Sequence, residues 1–310
     1  MIQDSAVTVI GGYLGAGKTT LVNHILRTAD QRVAVLVNDF GDIDIDAALI
    51  ESADGDTISL ANGCICCSLV DGLAAALTTI KELDPRPERL VIEASGVADP
   101  ASIAAYGHSS GLSLDAVVVV VDAETVRARS ADKYVGDTVL TQLRSADILV
   151  LNKIDLVDSA TADATRAWLR DVIPTAVIVD SEHAEVAPAL LFGAVEAGDR
   201  ARPIQADGGH DEHDHRHGED LFESWSWAGD EPLERATIER LMAALPEAVV
   251  RAKGVVSLLE DPDRAMVLQR VGGRWTLRPR GPWAGRPTSQ IVVIGMKGAI
   301  DDGWLSDQLA

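Results

Sequence analysis

The chain has 310 residues, 47% of them hydrophobic, and a formal net charge of −21 at pH 7. That length suits two domains, and the apolar share suits a packed core, yet no apolar run nears the ~18 residues that a membrane helix needs. The acidity is concentrated early, with 30 Asp and Glu against 14 Lys and Arg in residues 1–200, 6 against 2 in 201–220 and 12 against 11 beyond; such a surface repels nucleic acid and anionic lipid, and neither is expected as a partner.

No basic stretch followed by an apolar segment and a cleavage site stands at the N-terminus, so a cytoplasmic protein with reduced thiols is expected. In chain order, residues 7–10 form a β-branched run suited to a buried parallel strand, and residues 19–26 read as a helix. Between them lies Gly12-Tyr13-Leu14-Gly15-Ala16-Gly17-Lys18-Thr19, which fits G-x-x-x-x-G-K-[ST] without a mismatch. Its glycines let backbone N–H groups turn toward phosphates, Lys18 supplies a point charge to the β and γ oxygens, and the Thr19 hydroxyl can ligate Mg²⁺. Thr20 follows at the helix start. The spacing of Gly12, Gly15 and Gly17 does not suit a dinucleotide G-x-G-x-x-G loop.

Further strands are expected at 33–37, 57–60, 90–93, 116–121, 148–151 and 175–179, with helices between them. This is a doubly wound α/β pattern with a mostly parallel sheet, which places ligands at the strands' carboxyl ends. Glu93-Ala94-Ser95-Gly96 closes one strand where P-loop GTPases usually have D-x-x-G; Glu93 is the candidate hold on Mg²⁺, and the Gly96 N–H can face a γ-phosphate. Asn152-Lys153-Ile154-Asp155 closes another. The Asp155 carboxylate can accept from both N1–H and the exocyclic amine of guanine, a donor edge that adenine lacks. Asn152 is expected to brace the loop and the Lys153 stem to lie over the base. Val97 stands where Ras-like proteins have a water-positioning Gln, and no arginine is evidently placed as a finger in cis, so slow hydrolysis is expected.

All three cysteines, Cys64, Cys66 and Cys67, lie between the 57–60 strand and the next helix; an odd, clustered set is a poor disulfide framework and a good thiolate site for Zn²⁺ or another borderline cation. Three sulfurs leave a fourth position open to water, a carboxylate from 39–46 or a partner's group. Residues 199–220 turn to Gly, Asp, Pro and His and include His210, His213, His215 and His217, imidazoles that chelate divalent metals with little selectivity. His24, His108 and His183 are single histidines and read as structural. Beyond the linker the composition shifts, with five of the six tryptophans and near-balanced charge. Strands are expected at 222–227, 249–260, 265–269, 275–278 and 291–296, a hairpin turn at Gly272-Gly273 and a helix at 232–245, together a small α+β module. The expected domains are thus 1–198, a linker 199–220, and 221–310.

The combination of the 12–19 loop, Glu93-x-x-Gly96, Asn152-Lys153-x-Asp155, Cys64-x-Cys66-Cys67 and a His-rich linker before a smaller domain resembles the CobW family of P-loop metallochaperone GTPases over nearly the whole chain. The resemblance implies binding of GTP and GDP with Mg²⁺, slow hydrolysis, Zn²⁺ or Co²⁺ at the cysteines in a manner coupled to nucleotide, and delivery to a metalloprotein client. One departure stands out. Where the family usually reads N-E-F-G-E, this chain has Asn38-Asp39-Phe40-Gly41-Asp42, one methylene shorter at both acids, so Asp39 and Asp42 are candidate metal ligands with reduced reach. The alternatives are a metal buffer or sensor that signals through partner binding, and a cobalt- or nickel-inserting GTPase of the hydrogenase or urease type.

Overall fold

A computed structural model describes residues 5–29, 32–38, 59–61, 77, 78, 80, 83, 87–108, 112–192, 222–283, 285–301 and 303–310. The chain divides into two compact units, Met1–Phe192 and Gly193–Ala310.

The first unit is built on strands β1 (Ser5–Gly11), β2 (Val33–Asn38), β3 (Ser59–Ala61), β4 (Arg89–Ala94), β5 (Leu112–Asp122), β6 (Ile148–Asn152) and β7 (Val177–Ser181). They form one seven-stranded sheet in the order β3-β2-β4-β1-β5-β6-β7, and every pairing is parallel. The continuous apolar runs follow from this. Val117, Val119 and Val121 join one core cluster with Val7, Val9, Leu149 and Leu151, while the alternate residues Val118, Val120, Ile148 and Val150 are equally buried, so both faces of the sheet are covered. Helices α1 (Lys18–Thr28), α2 (Pro100–Ala104), α3 (Val126–Ser130), α4 (Gly136–Arg144), α5 (Ser159–Val172) and α6 (Pro188–Phe192) follow the strands. α1 buries Leu21, Val22 and Ile25, the spacing of one helix face. Asp99 and Asp158 cap α2 and α5 by accepting from Ala101 N–H at 3.0 Å and Thr161 N–H at 2.7 Å.

The last strand differs from its expectation at 175–179. Ala176 N–H donates to the Ile173 carbonyl in a turn, and the strand extends to Ser181 because Asn152 and Ser181 pair across β6 and β7.

The second unit is a five-stranded antiparallel sheet in the order β11-β10-β9-β12-β8, from β8 (Phe222–Gly229), β9 (Val249–Leu258), β10 (Asp261–Val271), β11 (Arg274–Pro282) and β12 (Ser289–Met296). One face, including Ala252, Val256, Leu268, Ile291 and Val293, packs with Ile238, Leu241 and Met242 of α7 (Arg235–Ala244) and Leu305 and Leu309 of α8 (Trp304–Leu309). The Gly272-Gly273 turn joins β10 to β11 as expected, with Gly272 at φ 53°. β8, β10 and β11 run longer than the expected 222–227, 265–269 and 275–278, and two further boundaries are set by tertiary contacts. The 249–260 run ends at Leu258, and a turn at Leu259 and Glu260 leads into β10. The helix expected from 232 begins at Arg235, because Leu233 bridges to Leu258, donating to the Ser257 carbonyl at 2.8 Å and accepting from Leu259 N–H at 2.9 Å. The closing helix α8 had no sequence-based expectation. Among the described residues no helix is long and apolar enough to cross a membrane.

Candidate functional site

The loop 12–19 leaves β1, the central strand, and runs directly into α1. The glycines there are required by space. A Cβ on Gly12 would stand 2.2 Å from the Val120 carbonyl oxygen, and one on Gly17 2.4 Å from Asn152 Nδ2; both have positive φ, 136° and 111°. α1 starts with no side-chain cap, so its first N–H groups are available to an anion. The loop's carbonyls are drawn to protein donors. Those of Tyr13 and Gly17 accept from Ala16 and Leu21 N–H at 3.1 and 2.9 Å, and that of Ala16 accepts from Asn152 Nδ2 at 2.9 Å. Turning carbonyls toward the protein leaves the N–H ends of such a loop for phosphate oxygens. Lys18 is buried, Thr19 half-buried, Thr20 exposed, and Leu14 is 53% exposed at the loop's outer edge.

Glu93, at 2% exposure, accepts a hydrogen bond from the Thr19 hydroxyl, Oγ1 to Oε1, at 2.8 Å. Two hard oxygen donors from residues 74 apart in sequence thus converge beside the phosphate loop. This donor set fits Mg²⁺, which prefers oxygen and takes one or two protein ligands beside substrate phosphates. Gly96 packs against the Leu14 side chain, and its carbonyl, with that of Ala98, accepts from Gln142 Nε2 of α4 at 3.1 and 2.9 Å.

The ends of β5, β6 and β7 stand level, with Asp122 opposite Asn152 and Asn152 opposite Ser181. The buried Asn152 amide uses both ends, Nδ2 on the Ala16 carbonyl and Oδ1 on Ala184 N–H at 2.8 Å, and so ties the phosphate loop to the loop after β7. The bracing role expected of Asn152 has this geometry. Lys153, at φ 63°, pairs through Nζ with Asp122 Oδ2 at 2.8 Å, which fixes its stem beside the loop. Asp155 lies on the short 3₁₀ turn that follows, exposed.

Residues 6–180 match the CobW/HypB/UreG nucleotide-binding domain, and residues 222–310 the cobalamin synthesis protein cobW C-terminal domain. The chain belongs to the CobW/HypB/UreG family. It is a P-loop GTPase that binds GTP and GDP. Among similar proteins are the zinc chaperone CobW of Sinorhizobium, 32% identical with 93% of this chain and 92% of that protein covered, and the zinc chaperone CobW of Pseudomonas aeruginosa, 30% identical with 98% and 90% covered. The zinc chaperone YjiA of Escherichia coli is 29% identical, covering 94% of both chains.

In this CobW-family chain the expected metal candidates Asp39, Asp42, Cys64, Cys66, Cys67, His210, His213, His215 and His217 all lie outside the described residues. Among the described residues no three His, Cys, Asp or Glu side chains gather as a metal site. His24 is placed structurally, its Nε2 3.2 Å from the Val186 carbonyl, and His183 is exposed at φ 52°.

Sequence reasoning missed three residues. Asp122 caps the turn after β5 by accepting from Glu124 and Thr125 N–H at 2.9 and 3.2 Å while holding Lys153. Its signal was present, a lone acid closing a buried apolar strand, as at Glu93. Gln142 had no such signal. The third is Arg129 of α3, whose Nη1 donates to the Leu14 carbonyl at 2.6 Å, so an arginine does reach the phosphate loop in cis, onto its backbone.

Proposed function

We propose that this chain is a cytoplasmic zinc chaperone whose GTP cycle sets how tightly zinc is held at Cys64, Cys66 and Cys67, and which passes the ion to a metalloprotein client. The single observation that carries the reading is the Thr19–Glu93 contact beside the phosphate loop, because both residues stand at the sheet edge from which the cysteine segment departs. β2 and β3 end at Asn38 and Ala61 on that same carboxyl edge, β2 next to β4 and β3 outside β2. The chain therefore leaves that carboxyl edge from the outermost strand, three residues before Cys64. The zinc chaperones among its relatives support zinc as the cargo.

In this reading Lys18 and the loop N–H groups bind the phosphates, and Asp155 selects guanine. Thr19 and Glu93 hold Mg²⁺, which when bound neutralises charge on the β and γ oxygens. Gly96 and the segment with Asp39 and Asp42 respond to the γ-phosphate, Asp39 and Asp42 being further candidate ligands. His210, His213, His215 and His217 act as a loading reservoir in a linker at 199–220 between domains 1–198 and 221–310. The C-terminal domain docks the client. Hydrolysis without a partner is slow, on the order of 10⁻⁴ to 10⁻² s⁻¹, since Val97 offers no group to orient water.

The test is a competition titration of Zn²⁺ against a chromophoric chelator with nucleotide-free, GDP-bound and non-hydrolysable-GTP-bound protein. Mg²⁺-GTP should raise zinc affinity by about 5–150-fold, and zinc should raise GTP affinity by the same factor, as linkage requires. Cys66→Ser should remove tight zinc binding and leave GTP affinity in metal-free buffer unchanged. Equal zinc affinity in all three states would turn the reading to a metal buffer. Co²⁺ run in parallel decides the cargo.

A further inference from the structure

The loop 12–19 is held at most points by its own backbone or by Asn152, but the peptide between Leu14 and Gly15 is held differently. The Leu14 side chain is 53% exposed and Gly15, at φ 77°, has nothing within 4 Å of an ideal Cβ. The Leu14 side chain rests on Gly96 on one side only, and glycine at position 15 permits the peptide to rotate. Its oxygen is held by Arg129, through the 2.6 Å bond from Nη1 to the Leu14 carbonyl. The guanidinium also lies 5.0 Å from the centroid of the Tyr13 ring, a cation–π contact that fixes its approach. Arg129 therefore grips two consecutive residues of the loop.

The base of that grip is itself anchored. α3 begins just after the turn that Asp122 caps through Glu124 and Thr125 N–H, and the other oxygen of Asp122 takes Lys153 of the specificity loop. One carboxylate thus sets both the helix that carries Arg129 and the residue next to Asn152.

We propose that Arg129 is a positioning residue for GTP hydrolysis: its bond to the Leu14 carbonyl fixes and polarises the Leu14–Gly15 peptide, so that the Gly15 N–H is preset as a donor to the nucleotide's phosphates. The carbonyl and the Gly15 N–H are the two ends of one conjugated group. A cationic donor at the oxygen draws electron density from the nitrogen and strengthens the N–H as a donor, by about 10–30% for a hydrogen bond in a chain. Phosphoryl transfer moves charge onto the leaving β-phosphate, where such loop donors point, so a preset donor acts more on the transition state than on bound GTP. Arg129 makes this contribution without touching the nucleotide.

The proposal rests on the GTPase reading, and the test separates the two. Single-turnover GTP hydrolysis, GTP and GDP affinity, thermal stability and the ¹H–¹⁵N resonance of Gly15 are measured on the full-length wild type, Arg129→Ala, Arg129→Lys and Tyr13→Leu with Mg²⁺-nucleotide. Arg129→Ala should slow hydrolysis by about tenfold, less than loss of a direct donor to the reacting group, with GTP and GDP affinities within about threefold of wild type. Its Gly15 amide proton should move upfield. Arg129→Lys, which can still donate to the carbonyl, should recover most of the rate, and Tyr13→Leu should lose a few-fold at most. Wild-type hydrolysis rate and an unmoved Gly15 resonance in Arg129→Ala would overturn the proposal while leaving the GTPase reading intact. Loss of rate and affinity in step with thermal stability, with no rescue by lysine, would overturn it in favour of a packing role. Should the wild type itself fail to hydrolyse GTP, the GTPase reading falls, and the proposed role in hydrolysis falls with it; the Gly15 resonance then reports the polarised peptide alone.

Discussion

Both sheets tie strands together with buried polar side chains, as Arg89 and Asp115 do at 3.1 Å between β4 and β5, but the first also gathers buried polar groups at one shared edge. In the first unit all seven strands run one way, so their carboxyl ends and the loops that follow share one edge. Glu93, Asp122 and Asn152, all at 6% exposure or less, stand at that edge, and Lys18 at the start of α1 and Gln142 of α4 are buried as well. Their partners are loops: Thr19, Lys153, the 12–19 backbone, and the Gly96 and Ala98 carbonyls. In the second unit strand direction alternates, and no edge collects ends. Its buried polar residues lie inside the sheet and tie strand to strand, as Arg270 Nη1 does on the Val249 carbonyl at 3.3 Å and Ser289 Oγ does by accepting from Ser257 N–H at 3.0 Å. Both sheets use buried polar groups to hold themselves together; the parallel one adds a set gathered at the edge where its strands end.

The comparison fails if damage crosses between the units. Leu268→Ala removes a fully buried side chain from the second core and should cost about 2–5 kcal/mol of that unit's stability, read by calorimetry, with GTP affinity unchanged. A matching loss of GTP affinity would mean that the second unit contributes to the nucleotide site.

Within the first unit, Asn152→Ala tests whether buried polar groups at the edge serve binding. It strands the Ala16 carbonyl and Ala184 N–H at a cost of about 1–3 kcal/mol, equivalent to about 5–150-fold in GTP affinity by titration calorimetry. A loss of stability with GTP affinity intact would reclassify Asn152 with Arg270 and Ser289.

The smallest effect concerns His24, in the second turn of α1. Its pKa is held below the usual histidine value, chiefly by burial, with Arg27 acting in the same direction and Glu185 and the Val186 carbonyl against. A depressed histidine favours the neutral form in the folded state. Its contribution is therefore complete above the unfolded pKa of about 6.5 and is lost as pH falls below it toward the folded value. Melting temperature should drop less in His24→Gln than in wild type between pH 7.5 and 5. Equal drops would show that other groups govern acid stability in this unit.

The sequence by itself determined the doubly wound fold, the phosphate loop and the place of the Asn152-Lys153-Ile154-Asp155 turn. These are local: Gly12 to Thr19 is one contiguous stretch whose glycines are demanded by backbone geometry, and Glu93 and Asn152 each close a short, β-branched apolar run of strand length. Strand limits were less legible where a tertiary contact set them, as Leu233 on Leu258 delays a helix and Ser181 beside Asn152 lengthens a strand. Only the tertiary structure decided what holds the site in shape. Arg129 reaches Leu14 across 115 positions, Gln142 reaches Gly96 across 46, and Lys153 reaches Asp122 across 31. Two of those three bonds end on backbone carbonyls, which every residue possesses, so no residue type or spacing marks them until the sheet has brought the loops to one edge.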